Sequence, residues 1–265
     1  MALSFIKNLI KPAVKSMLYP WYERRLISQL DFSQTPQHVG VILDGNRRWA
    51  KNNFGAPPAH GHRKGAEKII DLLKWCDEAN VGVVTLWLLS TENLKRDQEE
   101  LAALLKIIGD AVEHLGEQQL WEIRPVGALD LLPQELQDKL QKVARESKGC
   151  SKTVVNVAIG YGGRREIVDA VRNYIKDGGE QGKSIEAIAD SINIEEIGKH
   201  LYTAGLPDPE LVIRTSGEQR LGGFLLWQSA HSEYYFCEAY WPDFRKVDFL
   251  RALRAYSQRH RRFGS

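Results

Sequence analysis

The stretch Asp44-Gly45-Asn46-Arg47-Arg48-Trp49 places a carboxylate and two arginines directly after the apolar run His38–Leu43. The apolar run predicts a buried strand, and Asn46–Asn52 predicts a helix that opens behind it. The free N–H groups and the positive dipole end of such a helix favour an anion, and Arg48 can add charge. Asp44 has the opposite sign, which fits a phosphate site if a divalent cation such as Mg²⁺ lies between them. An Asp-Gly step alone usually marks a turn, so its position after a strand carries this prediction.

Two further polar stretches precede predicted helices. The first, Gly61-His62-Arg63-Lys64-Gly65, repeats the design of small residues and basic side chains at a helix start, although a solvated loop explains it equally well. The second lies after the next predicted strand, where a capping box accounts for Asp97 and Glu100. Capping leaves Asn93 and Arg96 unassigned, so both are candidates for the site.

Arginines recur in the C-terminal third, within Pro207–Arg220. Arg214 and Arg220 flank a glycine-containing turn after a predicted strand, and arginine forks suit phosphate oxygens. Glu233 is a second carboxylate available to a metal. A surface ion-pair network is the alternative interpretation of this segment. Neither a Walker loop nor a Gly-x-Gly-x-x-Gly fingerprint occurs, so ATP-driven and nicotinamide chemistry have no support.

The combined pattern is two or three anion sites, two carboxylates that suit a metal, and apolar segments between them. The nearest apolar residues are Trp87, Leu88 and Leu89. This combination predicts a substrate that joins a diphosphate to a hydrocarbon. Ionising an allylic diphosphate requires a metal and cationic donors for the leaving charge, together with a dry apolar cleft for the tail.

Strands and helices alternate along the chain, which predicts an α/β fold with a mainly parallel central sheet flanked by helices. A loop is predicted over 177–184 and short helical pieces up to about Tyr202. The other predicted strands are Val81–Leu89, Trp121–Gly127, Thr153–Ile159, Leu211–Arg214 and Phe224–Leu226. The other predicted helices are 64–79, Asp97–Gln118, Pro133–Ser147, Arg164–Lys176 and a basic closing helix, Val247–Arg262.

The chain has 265 residues, of which 43% are hydrophobic and 26% charged, as expected of a globular protein with one large domain. Lys and Arg outnumber Asp and Glu only 36 to 34, which argues against a nucleic-acid partner. The three cysteines have neither disulfide nor zinc spacing, and no run is long enough to span a membrane. A reducing cytoplasm fits these features.

The sequence predicts a basic amphipathic helical segment over 1–36 and a single domain over 37–265. Within 1–30, five Lys and Arg residues alternate with apolar ones against the single acidic Glu23, and Pro12 and Pro20 favour two short helices. One interpretation is a helix on an anionic bilayer, at the inner face of the cell membrane, and the other is a helix docked on the body of the protein.

From about His38 to Phe263 the sequence resembles the cis-prenyltransferases, a family that includes undecaprenyl diphosphate synthase. The resemblance rests on HVGVILDGNRRWA, the GH of GHRKGA, STENLKR, VNVAIGYGGRREI and PDPELVIRTSGEQRLGGFLLWQSAHSEYYFCEAYWPDF. It implies the α/β fold of that family, prenyl diphosphate substrates, a Mg²⁺ cofactor, a homodimer and a hydrophobic tunnel in each monomer.

The resemblance also implies roles for individual residues. Asp44 and Asn93 match catalytic positions, and Asp44 and Glu233 match the positions linked to Mg²⁺. The released diphosphate and Asn93 are both candidates for removing the proton from the condensing unit. The matched substrate-binding positions are Gly45, Asn46, Arg47, Arg48, Trp49, His62, Ser90, Glu92, Arg96, Arg214, Arg220 and Gly222.

Three departures from the family pattern bear on specificity. An arginine expected before the motif histidine falls at Pro58, within an inserted stretch, and a usual serine is Gly222. Long-chain members have a small residue where this chain has Leu88, whose extra carbon atoms are expected to block the growing chain early. The sequence resembles short-chain actinobacterial members, and we expect one condensation with geranyl diphosphate to give a C15 (2Z,6E)-farnesyl product. Alternatively, Leu88 belongs only to the core and another wall sets the product length.

The C-terminal Arg262-Phe263-Gly264 resembles a motif that reaches the partner's active site in many family dimers, which makes Arg262 and Gly264 candidates for that role. Two other functions stay open. One is a medium-chain or long-chain polyprenyl diphosphate synthase, which the basic N-terminus favours. The other is a non-catalytic partner subunit, which the presence of Asp44 and of both clamp arginines disfavours.

Overall fold

Six parallel strands form one sheet in the order β3-β4-β2-β1-β5-β6. The computed structural model describes residues 19–53, 55–150 and 153–263, with side chains to residue 259. The strands are β1 (His38–Ile42), β2 (Val83–Ser90), β3 (Glu122–Val126), β4 (Val154–Tyr161), β5 (Leu211–Arg214) and β6 (Glu233–Phe236). The predicted α/β fold with a parallel sheet is confirmed.

Helices flank this sheet. They are α1 (residues 19–28), α2 (Asn46–Asn52), α3 (Pro58–Glu78), α4 (Gln98–Glu117), α5 (Gln134–Glu146), α6 (Gly163–Glu180), α7 (Ile185–Asp190), α8 (Ile194–Gly198) and α9 (Lys246–Phe263). The main core packs α3, α4, α5 and α9 against the central strands, and β1 is buried along its whole length. Burial on both faces explains why β1 reads as a continuous apolar run.

The prediction of a strand at Phe224–Leu226 is wrong. Those residues lie in a turn, because Gly222, Gly223 and Leu225 all have positive φ. Phe224 and Leu225 are nevertheless fully buried, so their apolar character comes from packing and not from sheet pairing. The sixth strand is instead Glu233–Phe236, an edge strand beside β5.

Two helix boundaries also differ from the prediction. The second predicted helix begins at Pro58 and not at 64, since proline suits the first turn of a helix, where its missing N–H costs no hydrogen bond. Helix α6 continues to Glu180, into the predicted loop. A β-carbon at Gly178 would lie 2.7 Å from Cγ1 of Ile188, so glycine here lets α7 pack closely against α6.

Helix α1 is docked on the body of the protein. Leu26 is fully buried against Val247 and Leu250 of α9, and Arg245 lies 4.7 Å from the ring centroid of Tyr19. The docked interpretation therefore describes residues 19–28, while the first eighteen residues lie outside the described part. Within the described ranges, no helix is both long and apolar enough to cross a membrane.

Candidate functional site

A cavity of about 780 Å³ opens at the carboxyl ends of β1, β2 and β5, where ligands bind in parallel sheets. It brings together most of the residues that the sequence singled out. The predicted site residues on its wall are Asp44, Gly45, Asn46, Arg47, Arg48, His62, Leu88, Ser90, Glu92, Asn93, Arg96, Arg214, Arg220 and Gly222.

The turn between β1 and α2 is fixed by a hydroxyl that the sequence analysis did not identify. Thr215 Oγ1 accepts from the Asp44 N–H at 2.9 Å and donates to the Asp44 carbonyl at 2.7 Å. Gly45 has φ +103°, and a β-carbon there would lie 2.7 Å from Cδ1 of Tyr240. Glycine is therefore required at this position, both by the backbone and by the neighbouring ring. The turn holds the Asp44 carboxylate at the mouth of the sheet.

Asp44 and Glu218 each bridge two arginines. Asp44 accepts from Arg214 at 2.9 Å and from Arg48 at 3.3 Å, and Glu218 pairs with Arg48 at 2.9 Å and with Arg220. The two carboxylates therefore link the arginine that follows β1 with the two predicted clamp arginines. Sequence reasoning missed Glu218, because nothing local in the sequence shows which arginines a turn glutamate will reach.

The pKa of Asp44 lies below its ordinary value. Burial acts to raise this pKa, but the hydrogen bond and charge of Arg214, together with the charge of Arg48, outweigh it. Asp44 is therefore ionised at neutral pH, as a ligand for a divalent cation must be. Within the described residues, no group of three or more His, Cys, Asp or Glu side chains could hold a metal ion.

A second bridge lies beside His62. Glu100 accepts from Arg96 at 3.1 Å and pairs with Arg47 at 3.5 Å, so it acts as more than the predicted helix cap. Burial and the neighbouring cations Arg96 and Arg47 lower the pKa of His62 to about 4. The imidazole is therefore neutral at neutral pH, and its buried Nε2 has no hydrogen-bond partner within the described chain.

The glycines around His62 let α3 approach α2. A β-carbon at Gly61 would lie 2.1 Å from the carbonyl oxygen of Asn46, and one at Gly65 would lie 2.3 Å from Asn46 Oδ1. Trp241 Nε1 donates to the Gly65 carbonyl at 2.7 Å and fixes α3 in this position. The prediction that this stretch precedes a helix is wrong, because Gly61 and Gly65 lie within α3, where they allow two helices to approach each other.

The apolar end of the cavity stops at Leu88. Behind this side chain lies a separate pocket of only about 40 Å³, walled by apolar residues of α3 and α4 such as Ile69, Leu104 and Ile108. Five residues line both spaces: Leu43, Asn46, His62, Leu88 and Leu104. A cavity needs about 10–15 Å³ of such volume to hold one water molecule, so this pocket has room for about three groups of that size.

Gly222 is explained by its neighbours. Its φ is +66°, and a β-carbon there would lie 3.2 Å from Cζ3 of Trp87 and 3.3 Å from Nη1 of Arg214. A serine at this position would strain the backbone and crowd both side chains. Trp87 lines the cavity and was named from sequence only as a nearby apolar residue.

Two predicted site residues lie elsewhere. Trp49 does not line the cavity and stacks on His60 with ring centroids 5.6 Å apart. Glu233 is the first residue of β6, at the amino end of the strands, and pairs with Arg259 at 2.7 Å. From Glu233 to the carboxyl end of β1, where Asp44 follows, is roughly 10 Å along the strand direction and two strands across the sheet. A single chain therefore does not bring the two carboxylates together.

The candidate dimer motif lies where the structure gives no side chains. Gly264 is outside the described residues, and only the backbone of Arg262 is described. The roles predicted for this pair remain predictions.

The family model described as "Putative undecaprenyl diphosphate synthase" matches residues 42–264. This chain belongs to the cis-prenyltransferase family. The match covers the Asp44 turn, the clamp arginines and every strand from β2 to β6. As a member of this family the chain is a prenyltransferase, and the substrates of the family are prenyl diphosphates.

Relatives in the family cover nearly the whole chain. A (2Z,6E)-farnesyl diphosphate synthase of Thermobifida fusca is 56% identical over 93% of this chain and 97% of its own length. Isoprenyl transferase 1 of Streptomyces avermitilis is 55% identical over 97% of this chain and 99% of its own. Among solved structures, lavandulyl diphosphate synthase from Lavandula x intermedia, in complex with dimethylallyl diphosphate, matches with a TM-score of 0.79. It is 33% identical, and the match covers 88% of this chain and all of that one.

Proposed function

We propose that this cis-prenyltransferase condenses isopentenyl diphosphate with geranyl diphosphate, giving (2Z,6E)-farnesyl diphosphate and diphosphate. The observation that carries the proposal is the shape of the cavity, which joins two sets of arginines at Asp44 and closes at Leu88 on its apolar side. The names of the actinobacterial relatives support the same reaction class.

In this proposal the allylic diphosphate binds over the start of α2. The N–H groups after Gly45 and the Arg48 guanidinium stabilise the negative charge that develops on the leaving diphosphate. Arg48 is pre-positioned for this task, because Ser216 Oγ accepts from it at 2.7 Å and its guanidinium lies 5.7 Å from the ring centroid of Tyr240. Little reorganisation is then needed when the carbon–oxygen bond breaks.

Isopentenyl diphosphate binds at Arg214 and Arg220 on the other side of Asp44. Arg214 is almost fully buried and is held by Asp44 and by the Arg220 carbonyl, so it offers a fixed donor. The arrangement sets the two substrates side by side across one carboxylate, which turns a bimolecular reaction into an intramolecular one. The proton acceptor stays open between the released diphosphate and Asn93.

Asp44 fits a bound Mg²⁺, since it is an ionised oxygen ligand between two phosphate sites. A single protein carboxylate together with diphosphate oxygens is a usual way to hold this ion. Bound there, Mg²⁺ would neutralise charge on the leaving diphosphate. Glu233 could join the same site only in an assembly, and we propose a homodimer in which Glu233, Arg262 and Gly264 complete a neighbouring cavity. We also propose that the protein is cytoplasmic and that it contacts the membrane peripherally through residues 1–30.

The pocket behind Leu88 limits the product. One isoprene unit adds five carbon atoms, and the pocket of about 40 Å³ has room for only about three groups of that size. A medium-chain or long-chain polyprenyl product has no room in this cavity. The intact Asp44 turn and both clamp arginines argue against a non-catalytic subunit.

The test is a product assay on the purified full-length chain. The protein is incubated with Mg²⁺, labelled isopentenyl diphosphate and dimethylallyl, geranyl or farnesyl diphosphate, and the dephosphorylated products are separated by size. We expect the highest turnover with geranyl diphosphate and a C15 product. Products of C50 or longer would overturn the short-chain assignment, and no product with any primer would overturn the catalytic one.

A further inference from the structure

Trp87 occupies a row of side chains that crosses the sheet under the cavity. Trp87 pairs with Ile42 of β1, and Ile42 pairs with Arg214 of β5. Laterally paired residues of neighbouring strands point to the same face, so Trp87 lies on the face of Arg214, about 10 Å away across two strands. Ile42, Trp87 and Arg214 all line the cavity, so in the proposed function an isopentenyl group whose diphosphate is held by Arg214 can extend over Ile42 and Trp87.

One face of the indole is covered and its edges are bordered. Phe224 stacks on Trp87 with ring centroids 5.2 Å apart and planes 12° apart. Tyr161 is nearly perpendicular to both rings, with its centroid 6.3 Å from that of Trp87 and 5.9 Å from that of Phe224. Such similar distances place Tyr161 beside the stack, because a ring on the outer indole face would lie much farther from Phe224.

Gly222 borders the indole edge that carries Cζ3 and Cη2. Phe224 covers one face and these two residues border the edges, so we assign the opposite face to the cavity, which Trp87 lines. The rigid stack holds this face in one orientation. The glycine at 222 is what allows the wide indole to lie this close to Arg214.

The reaction creates positive charge near this face. In the proposed condensation, the C1–O bond of geranyl diphosphate breaks and its electron pair leaves with diphosphate. The double bond of isopentenyl diphosphate supplies the pair for the new bond between its C4 and that C1, which leaves positive charge on its C3. Loss of a C2 proton, to the released diphosphate or at Asn93, then forms the new double bond.

We propose that Trp87 is a catalytic residue whose open indole face stabilises the positive charge on C3 of the isopentenyl unit. The inference rests on the proposed function. The face of an aromatic ring carries negative charge density, and tryptophan binds cations better than tyrosine or phenylalanine. A neutral ring suits this position, because a carboxylate there would pair with Arg214 and would repel the substrate diphosphate.

Fluorinated tryptophans at position 87 test the proposal. Each ring fluorine withdraws charge from the indole face while changing its shape little. Full-length protein carrying Trp, 5-fluoro-Trp, 5,6-difluoro-Trp or 5,6,7-trifluoro-Trp at 87 is mixed with Mg²⁺, geranyl diphosphate and labelled isopentenyl diphosphate. The single-turnover rate should fall stepwise, by about 2- to 30-fold over the series. The KM for isopentenyl diphosphate should stay within about twofold, since the ground-state substrate carries no charge at C3.

The matched control is the same series at Trp121, which is fully buried and donates to Asp77 at 2.8 Å, away from the cavity. The single-turnover rate should be the same across the Trp121 series. Trp87→Phe, which keeps a ring with a weaker face, should slow turnover and leave the KM within the same limits. A single-turnover rate that does not change with the number of fluorines at position 87 overturns the role of Trp87. The same conclusion follows if the rate falls equally in the Trp121 series. The unsubstituted protein reports separately on the proposed function, since absence of any C15 product overturns that as well.

Discussion

Replacing Leu88 with alanine is expected to lengthen the product by one isoprene unit. The substitution vacates the space of three carbon atoms. The pocket of about 40 Å³ behind Leu88 has room for about three more groups of water size, at about 10–15 Å³ each. Together these spaces take the five carbon atoms of one isoprene unit but not the ten of two units, so the main product should shift from C15 to C20.

The measurement is chromatography of dephosphorylated products made from labelled isopentenyl diphosphate and geranyl diphosphate. Leu86→Ala is the matched control, because Leu86 lies two residues earlier on β2, fully buried and lining neither space. It should cost about 2–5 kcal/mol of unfolding free energy and leave the product at C15. An unchanged C15 product from the Leu88→Ala protein would refute the argument that this side chain limits the chain. A product of C50 would show that the true limit lies elsewhere.

Three other outcomes follow from the site and the core. Asp44→Asn should lower kcat by about 100-fold or more and leave thermal unfolding cooperative, and near-normal kcat would contradict the metal role. Gly65→Ala should raise the KM for the allylic substrate by about tenfold, because the added β-carbon would displace Asn46. Gly198→Ala is the control and should leave the KM unchanged, since there is open space around Gly198. Equal KM values for the two variants would contradict a role for the contact between Gly65 and Asn46. Burial lowers the pKa of His38 to about 4 despite its hydrogen bond with the Pro207 carbonyl, so the unfolded chain binds more protons between pH 6.5 and 4. His38 alone should therefore lower the unfolding free energy from urea titrations by up to about 3 kcal/mol as pH drops through that window, and His62, whose pKa is also lowered to about 4, adds to the fall. A level profile would refute this.

The turn at Asp44 was predictable because its signals are local. An apolar run followed by an acidic turn and a helix start places that turn at the carboxyl end of a parallel strand, and α2 covers the predicted range Asn46–Asn52. The same pattern could not decide which side chains of α2 face the cavity. Successive helical residues are rotated by about 100°, so four in a row cannot all point one way, and Trp49 turns to His60.

Within one chain, the separation of Glu233 from Asp44 has a topological cause. The predicted strand Phe224–Leu226 would have ended before Glu233. Because the strand instead begins at Glu233, the same residue lies at the opposite edge of the sheet. The two glycines before Phe224 were the available signal, since paired glycines disfavour a strand.

Long-range pairing was the other part that the sequence could not supply. Glu218 reaches Arg48 across 170 positions of chain, and Thr215 fixes the Asp44 turn from 171 positions away. Sheet topology brings these residues together, because β5 lies beside β1. The roles of Trp87 and Gly222 likewise depend on a contact between β2 and the loop after β5.

The most direct measurement is a crystal structure of the protein with Mg²⁺, isopentenyl diphosphate and a non-hydrolysable thio analogue of geranyl diphosphate. The account predicts the allylic diphosphate at the start of α2 beside Arg48, the second diphosphate at Arg214 and Arg220, and the metal on Asp44 between them. It predicts the geranyl tail ending at Leu88. Diphosphate density away from these arginines, or a tail that continues past Leu88 into the body of the protein, would contradict it.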